Sequence, residues 1–433
     1  MRVLLAANAS YVPPRGGATR SNLAWLDLLS AAGHECRIVA ADLTQDRPGK
    51  LAQIREEEIG VAAERHPLAG VEAVRRGAIL VFSAAEPHLR SRLVREQVAS
   101  FQPDWVLVSS EDLGQVLLRE AVDAAPGRVI YLAHTPQLFP FGPASWNPSP
   151  QGAELVQSCA GVIAIGHHTA RYIEQHAGRR PAVIHPPVYG EGPFESFGSP
   201  ANPLVTMINP CAIKGITIFL ALARRFPEVS FAGLAGWGTT AADRRAMESC
   251  PNVRLLANVK DIAQVLKDTR VLLMPSLWYE GFGLSVMEAM LRGIPVISSD
   301  SGGLSEAKMG TRFILPVRPI ERWEPCFDEC SLPKPVIQEQ DIEPWAEALN
   351  ALVSETDLYE EESRVSHEKA TSFVSGIRPG LLEEYLGSLR PPGASERLGR
   401  MPGQSREALA ALSPEKRALL LERLRKRPRR PAS

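Results

Sequence analysis

Short runs of Val, Ile, Leu and Ala alternate along this chain with polar-patterned segments of helical length. The runs are "RVLLAA", "CRIVAA", "WVLVSS", "RVIYLAH" and "GVIAIG" in the first half, then "LVTMIN", "VSFAGL", "VRLLAN", "VLLMPS" and "PVISSD". A strand wetted on one face alternates apolar with polar positions. A run apolar throughout is covered on both faces, as in parallel sheets flanked by helices. Strand and helix alternate in this way twice, which predicts an α/β protein with two doubly wound, Rossmann-like domains. The first helix carries Leu23, Leu26 and Leu29 at three-residue spacing, with Ser21 expected as its cap and Gly33 as its left-handed terminator.

Punctuation residues set the expected boundaries. "GEGPFESFGSPANP" (Gly190 to Pro203) has the composition of a linker, so residues 1–190 read as the first domain, 191–203 as the linker and 204–375 as the second domain. After Asp300 the stretch "LPVRPIERWEPCFDECSLPKP" holds five prolines and is expected to be irregular. Helical patterning returns from about Glu343 to Leu389, its last part, 376–390, being a closing helix. Residues 391–433 read as a basic, partly disordered tail, with an amphipathic helix around Ser413 to Lys426 that Ser413 would cap and Pro414 would open.

Composition narrows the class. With 433 residues, 45% hydrophobic and 22% charged, the chain can bury two cores. No run approaches the roughly 18 apolar residues that cross a bilayer, and "MRVLLAANAS" lacks a signal-peptide pattern. A cytoplasmic enzyme is expected. The six cysteines are scattered, so no disulfide framework is expected, and Cys326 with Cys330 alone does not make a metal site. The net charge of −1 hides a basic tail with eleven Lys and Arg against four Asp and Glu. No nucleic-acid partner follows from it.

Candidate chemistry lies where strands end in glycine-rich turns before helices, since free N–H groups and the helix dipole favour an anion there. Three places qualify: "PPRGGATRSN" with Gly16 and Gly17, "NPCAIKG" with Lys214, and "EGFGLSVMEAM" with Gly281, Phe282 and Gly283. The last also carries Glu280 and Glu288, with seven residues between them. Two carboxylates around an anion-binding loop suit a ligand with polyol ends and a diphosphate middle, because carboxylates accept hydrogen bonds from vicinal hydroxyls while Lys and backbone amides take phosphates. A nucleoside diphosphate sugar has that form.

The stretch "PSLWYEGFGLSVMEAMLRGIPVISSDSGGLSE" (Pro275 to Glu306) resembles the retaining glycosyltransferases of family 4, which have the GT-B fold. It shares their Glu-seven-Glu spacing, Gly-Phe-Gly loop, "EAM" helix, "G-x-P-V" turn and "GG-x-x-E" close, and the likeness extends more weakly over residues 1 to 389. The resemblance implies that Glu288 holds the ribose, Glu280 the transferred sugar, Gly281 to Gly283 the sugar and phosphate through backbone, and Lys214 the diphosphate. It also implies that His134, in "YLAHTPQ", faces the donor sugar across the cleft and that Val259 flanks the base. Glu280, His134 and Lys214 are the catalytic candidates on this basis.

One position departs from the family. Where an Arg usually stands five residues before the Lys, this chain has Asn209, which either weakens leaving-group stabilisation or shifts it to another residue such as Arg20, in addition to Lys214 and helix dipoles. No Asp-x-Asp occurs, so no metal or other cofactor is expected. Retention in the family proceeds with attack on the face the diphosphate leaves, so no nucleophile is assigned and a general base need not be a side chain. Trp278, Tyr279 and Trp323 read as packing or cleft lining. The partners implied are a nucleotide sugar and a hydroxyl-bearing acceptor, in natural-product or cell-envelope glycan synthesis. "LSPEKRALLLERLRK" looks like segments at the edges of peptide and polyketide assembly-line modules, and "RLRKRPRR" would suit an anionic membrane surface. A nucleotide-sugar epimerase of the same fold and a nucleotide-binding scaffold without turnover are the rival readings; the first needs acid/base groups in the first domain that the sequence does not single out.

Overall fold

The structure, a computed structural model, describes residues 1–14, 16–42, 64–257, 259, 261–330 and 332–389. Its first half holds a nine-stranded sheet in the order β3-β4-β5-β2-β1-β6-β7-β8-β9. These strands are β1 (Arg2–Ala6), β2 (Glu35–Ala41), β3 (Glu64–Arg65), β4 (Val71–Arg76), β5 (Ile79–Ala84), β6 (Trp105–Ser109), β7 (Val129–Ala133), β8 (Gly161–Ala164) and β9 (Ala182–Val183). β1 pairs in parallel with β2 on one side and β6 on the other. The loops leaving β1, β6 and β7 therefore lie on one edge, where doubly wound sheets place ligands. Both faces are covered: Leu4, Ala6, Val106 and Val108 share a core with Leu93, Val94 and Leu117, while Val3, Leu5 and Leu107 share another with Leu23, Trp25, Leu26 and Leu29. Each such side chain contributes about 1.5–3 kcal/mol by leaving water.

Two expectations for this half are corrected. The sheet is mixed, because β3, β4 and β5 run antiparallel in succession; β4 and β5 are joined through Gly77 and Ala78 alone, too short for a crossover helix. The first helix spans Gly16–Ala31, so Ser21 lies inside it, its hydroxyl donating to the Gly17 carbonyl at 2.9 Å, and does not cap it.

The second half holds a six-stranded parallel sheet in the order β12-β11-β10-β13-β14-β15, built from β10 (Leu204–Ile208), β11 (Ser230–Leu234), β12 (Val253–Leu256), β13 (Thr269–Met274), β14 (Val296–Ser299) and β15 (Ile314–Leu315). All ten runs expected to be strands are strands. The five-proline stretch is not wholly irregular: β16 (Trp323–Phe327) and β17 (Pro333–Pro335) form an antiparallel ribbon with a register break. Each strand of a two-stranded ribbon has an outer side without partners, and a residue lacking N–H is tolerated there.

The linker region is irregular yet tied down. Phe197 and Gly198 N–H groups donate to the Arg292 carbonyl at 2.7 and 3.0 Å, and the Arg292 guanidinium lies 5.1 Å from the Phe197 ring. The closing helix, Leu381–Ser388, returns to the first half: Leu382 and Leu386 join the core of Trp25 and Leu29, and Glu383 meets His34 at 2.9 Å. The tail and its expected amphipathic helix lie outside the described residues. Among the described residues no helix is long and apolar enough to cross a membrane.

Candidate functional site

The second-domain wall is built on two loops at the ends of adjacent strands, β10 and β13. The Leu277 and Trp278 N–H groups both donate to the Ile213 carbonyl at 3.0 Å, which fixes the loop after β13 against the turn that carries Lys214. Lys214 then meets Glu280 in an ion pair with both side chains about one-tenth exposed. Glu280 Oε1 also accepts from Ser276 Oγ at 2.7 Å, and its backbone carbonyl accepts from Gly303 N–H at 2.7 Å. The residue is held through one carboxylate oxygen and through its backbone. Trp278 and Trp237 present their rings 5.5 and 6.0 Å from Lys214 Nζ.

Gly281 brings this wall onto the first domain. A Cβ there would lie 1.9 Å from the His134 carbonyl oxygen, so any side chain is excluded, and the Gly281 carbonyl accepts from Thr169 Oγ1 at 2.9 Å. Gly283, at φ +116°, starts the helix Leu284–Met290 in a conformation that side chains rarely adopt. Between them Phe282 is buried and stacks on Phe373, leaving only its backbone for a ligand. Trp278 Nε1 donates to Thr135 Oγ1 at 3.1 Å, Tyr279 OH meets His168 Nδ1 at 2.7 Å, and Trp278 and Trp323 both pack edge-to-face on Trp146.

Glu288, on the same helix, pairs with Arg20 of the first domain's Gly16–Ala31 helix at 2.5 Å. Burial works against the charge on Arg20, but Glu288 beside it prevails and raises its pKa. Arg20 is thus engaged with Glu288 and not beside Asn209. The start of its helix also approaches the second domain, since a Cβ on Gly17 would lie 3.1 Å from Leu284; Gly16 has φ +88°.

Asn209 ends β10, with its Oδ1 accepting from Gly238 N–H at 2.9 Å and Thr239 Oγ1 at 3.5 Å. Those bonds fix the amide orientation. Its Nδ2 is buried with no partner among the described residues, a donor of the kind that a ligand completes. Val259 is half-buried in the loop after β12. Lys214 pairs with Glu280, and Gly281 beside it lies against the His134 backbone carbonyl, while the His134 ring faces Asn22 and Trp25. Arg20 and Glu288 make a second pair, and among the described residues no hydrogen bond or ion pair joins Val259 to either.

On the first-domain wall His134 ends β7 with Nε2 at 2.9 Å from Asn22 Oδ1. An amide oxygen only accepts, so Nε2 carries the proton and the buried Nδ1 is left as a bare acceptor. Burial lowers the His134 pKa to about 3, so the ring is neutral at ordinary pH. Asn22 also donates to Tyr11 OH at 2.7 Å and Ser109 Oγ at 3.3 Å. Ser109 Oγ lies 3.5 Å from Glu111 Oε2, and burial lifts the Glu111 carboxyl to about 7. Sequence reasoning missed this group. The signal was present in "WVLVSSED", where a carboxylate follows the end of a buried strand on the ligand-binding edge.

A mixed, mainly parallel first sheet and a parallel second sheet facing a cleft are the architecture of the GT-B class. Comparison with known proteins agrees. Residues 15–189 match the family model described as Glycosyltransferase Family 4, and residues 207–323 match Glycosyl transferases group 1. Among solved structures the chain is similar to a sucrose-phosphate synthase from Thermosynechococcus elongatus, at 14% identity and TM-score 0.64, covering 90% of this chain and 100% of that one. It is also similar to Anabaena Alr3699/HepE, in complex with UDP and glucose, at 17% identity and TM-score 0.59, over 90% and 100% of the chains. A third is S. aureus TarM, in complex with fondaparinux, α-GlcNAc-glycerol and UDP, at 11% identity and TM-score 0.59, over 89% of this chain. No curated protein matches the sequence. With a glycosyltransferase model on each half and the GT-B architecture, these findings support a glycosyltransferase.

Proposed function

We propose that this protein moves a sugar from a nucleoside diphosphate sugar to an acceptor hydroxyl, with retention of anomeric configuration, as a family 4 enzyme would. The observation that carries the reading is that three separate stretches of sequence converge on the cleft: Lys214 pairs with Glu280, and Gly281 lies against the His134 carbonyl. In this reading Lys214 and the Asn209 amide take the diphosphate, the backbone of Gly281 to Gly283 cradles it, Glu280 binds the transferred sugar and Glu288 the ribose. His134, neutral with Nδ1 bare, accepts from a sugar hydroxyl. Val259 borders the base, and Gly16, Gly17 and Arg20 bound the donor from the first domain.

Leaving-group charge falls on Lys214 and backbone amides, so the proposal requires no metal. Support for a uridine donor comes from similar structures that contain UDP, and the setting remains the cytoplasmic one expected from the sequence. The acceptor class we favour is a hydroxyl of a natural product or an envelope glycan. The epimerase and scaffold readings are not favoured, since a glycosyltransferase family model matches each half of the chain.

The test is a thermal-shift screen against UDP, GDP, ADP, CMP and dTDP, with Glu288→Ala alongside. A ligand selective for the folded state raises the midpoint in proportion to RT ln(1 + [L]/Kd). One nucleotide should stabilise the wild type and not the variant; if none stabilises the wild type, the donor site is wrongly assigned.

A further inference from the structure

The first-domain wall holds a carboxylate that the donor site leaves unused. Glu111 stands two residues beyond the end of β6, deep enough for burial to dominate its titration while part of the residue stays open to solvent. Its one polar contact among the described residues is the 3.5 Å approach to Ser109 Oγ, and no cation there pairs with it. Its neighbour Asp112 shows the contrast. That carboxylate is completed by Asn8 Nδ2 at 2.8 Å and the Val116 and Leu118 N–H groups at 3.1 and 3.0 Å.

Burial raises the cost of this charge while part of the residue stays open to solvent, and carboxylates placed in this way at strand ends gather at ligand sites. The surroundings fit a hydroxyl. Tyr11 OH, Ser109 Oγ and Asn22 Nδ2 lie in one hydrogen-bonded chain that leads from Glu111 to His134, whose carbonyl touches Gly281 of the donor loop. This chain joins the carboxylate to the point where the two walls meet.

We propose that Glu111 is the acceptor-side catalytic carboxylate, accepting a hydrogen bond from the attacking hydroxyl of a neutral acceptor and then its proton. The assignment rests on the glycosyl transfer proposed above. As the hydroxyl oxygen bonds to the anomeric carbon, the bond from that carbon to the diphosphate oxygen breaks. Its electron pair leaves on the diphosphate, and the hydroxyl proton ends on Glu111.

Among the described residues no other group facing Glu111 competes for that proton at neutral pH. His134 is held neutral and has committed its N–H to Asn22, the Tyr11 phenol is pushed well above its usual pKa by burial with Glu111 adding to the effect, and Ser109 and Asn22 do not titrate. Asp112 is raised by burial, but its oxygens are occupied. A base with a pKa near the working pH combines the correct protonation state with useful driving force.

The experiment takes the sugar nucleotide whose nucleotide stabilises the protein and measures nucleotide release, with water as acceptor, for wild type, Glu111→Gln and Glu111→Ala between pH 5.5 and 9. Both variants should lose tenfold or more in kcat, with donor KM and nucleotide-induced thermal shift unchanged. The wild-type rate should fall about tenfold per pH unit below pH 7, a limb absent from Glu111→Gln. A ligand-free arm uses the sign of the same titration. The folded carboxyl titrates above its unfolded counterpart, so ionisation destabilises the fold as pH rises through that window, and Glu111→Gln should melt higher than wild type at pH 8.5, with the gain shrinking toward pH 5. Unchanged release in both variants, or no stability gain at pH 8.5, overturns the assignment. So does a variant that loses the nucleotide shift as well, since the damage then lies in the donor site. If no nucleotide stabilises the wild type, or bound donor never releases it, the glycosyl-transfer reading fails and this one with it.

Discussion

Each glutamate of the pair comes with its own cation. Lys214 neutralises Glu280 and Arg20 neutralises Glu288, so the cleft contains two charge pairs of matched sign. On the proposed function, a nucleoside diphosphate sugar enters by exchange: the diphosphate takes over a cation and the polyol hydroxyls take over the carboxylates, so neither charge is left bare. The two pairs are unequal. Arg20 is 44% exposed, and its pair adds little to stability, whereas Lys214 and Glu280 are nearly enclosed. Removing one partner of an enclosed pair strands the other, so Lys214→Ala is expected to cost about 3 kcal/mol. The double variant Lys214→Met, Glu280→Gln should recover much of that loss. Urea titration of the three proteins checks this, and a single variant as stable as wild type would show that the pair is not enclosed in solution.

At the scale of elements, the site depends on a loop reaching a strand end in the other domain. Gly281→Ala places a methyl group against the His134 carbonyl, so the loop must withdraw and carry Glu280 with it. Nucleotide binding should survive through Glu288 while sugar-nucleotide turnover falls at least tenfold, which a comparison of thermal shift with steady-state rate reads directly. The closing helix makes a different kind of contact. Leu386 is fully buried, in one core with Trp25 and Leu29, so Leu386→Ala should destabilise by about 2–5 kcal/mol through the cavity it leaves.

This is also the scale at which the sequence was most legible. Ten strands announced themselves by short apolar runs, nine of them largely buried and β12 at the sheet edge only half-buried, and Glu280 and Glu288 by their spacing around Gly-Phe-Gly. The β4–β5 hairpin did not, because an antiparallel edge inside an otherwise parallel pattern differs only in the length of its connection. Arg20 was one candidate to take up the charge lost at Asn209; its pairing with Glu288 depends on how the two walls approach, which no local pattern encodes. Glu111 was legible only as a carboxylate after a buried strand; its environment, made by Tyr11, Asn22 and Ser109 from three separate segments, was not.

Across the whole molecule, the six cysteines are free, and burial pushes the Cys36, Cys159 and Cys211 thiols up to about 12. Only Cys326 is exposed and Cys330 partly so. Native protein at pH 8 should therefore react rapidly with a disulfide reagent at Cys326, more slowly at Cys330, and at the other four only on unfolding; mass spectrometry of the labelled chain locates the sites. Because leaving-group charge is assigned to Lys214 and backbone amides, turnover should also be unchanged by EDTA. A chelator-sensitive rate restored by a divalent cation would contradict that assignment.

The measurement that bears hardest on the proposed chemistry is the configuration of the first sugar released. A sugar nucleotide of known anomeric configuration, chosen by the thermal-shift screen, would be turned over with water as acceptor inside the NMR tube, and the anomeric proton of the free sugar read before mutarotation. Release of the same anomer that the donor carried, abolished in Glu280→Gln, is the expected result. The opposite anomer, or a release rate that Glu280→Gln leaves untouched, would contradict a retaining transfer centred on Glu280 and Lys214.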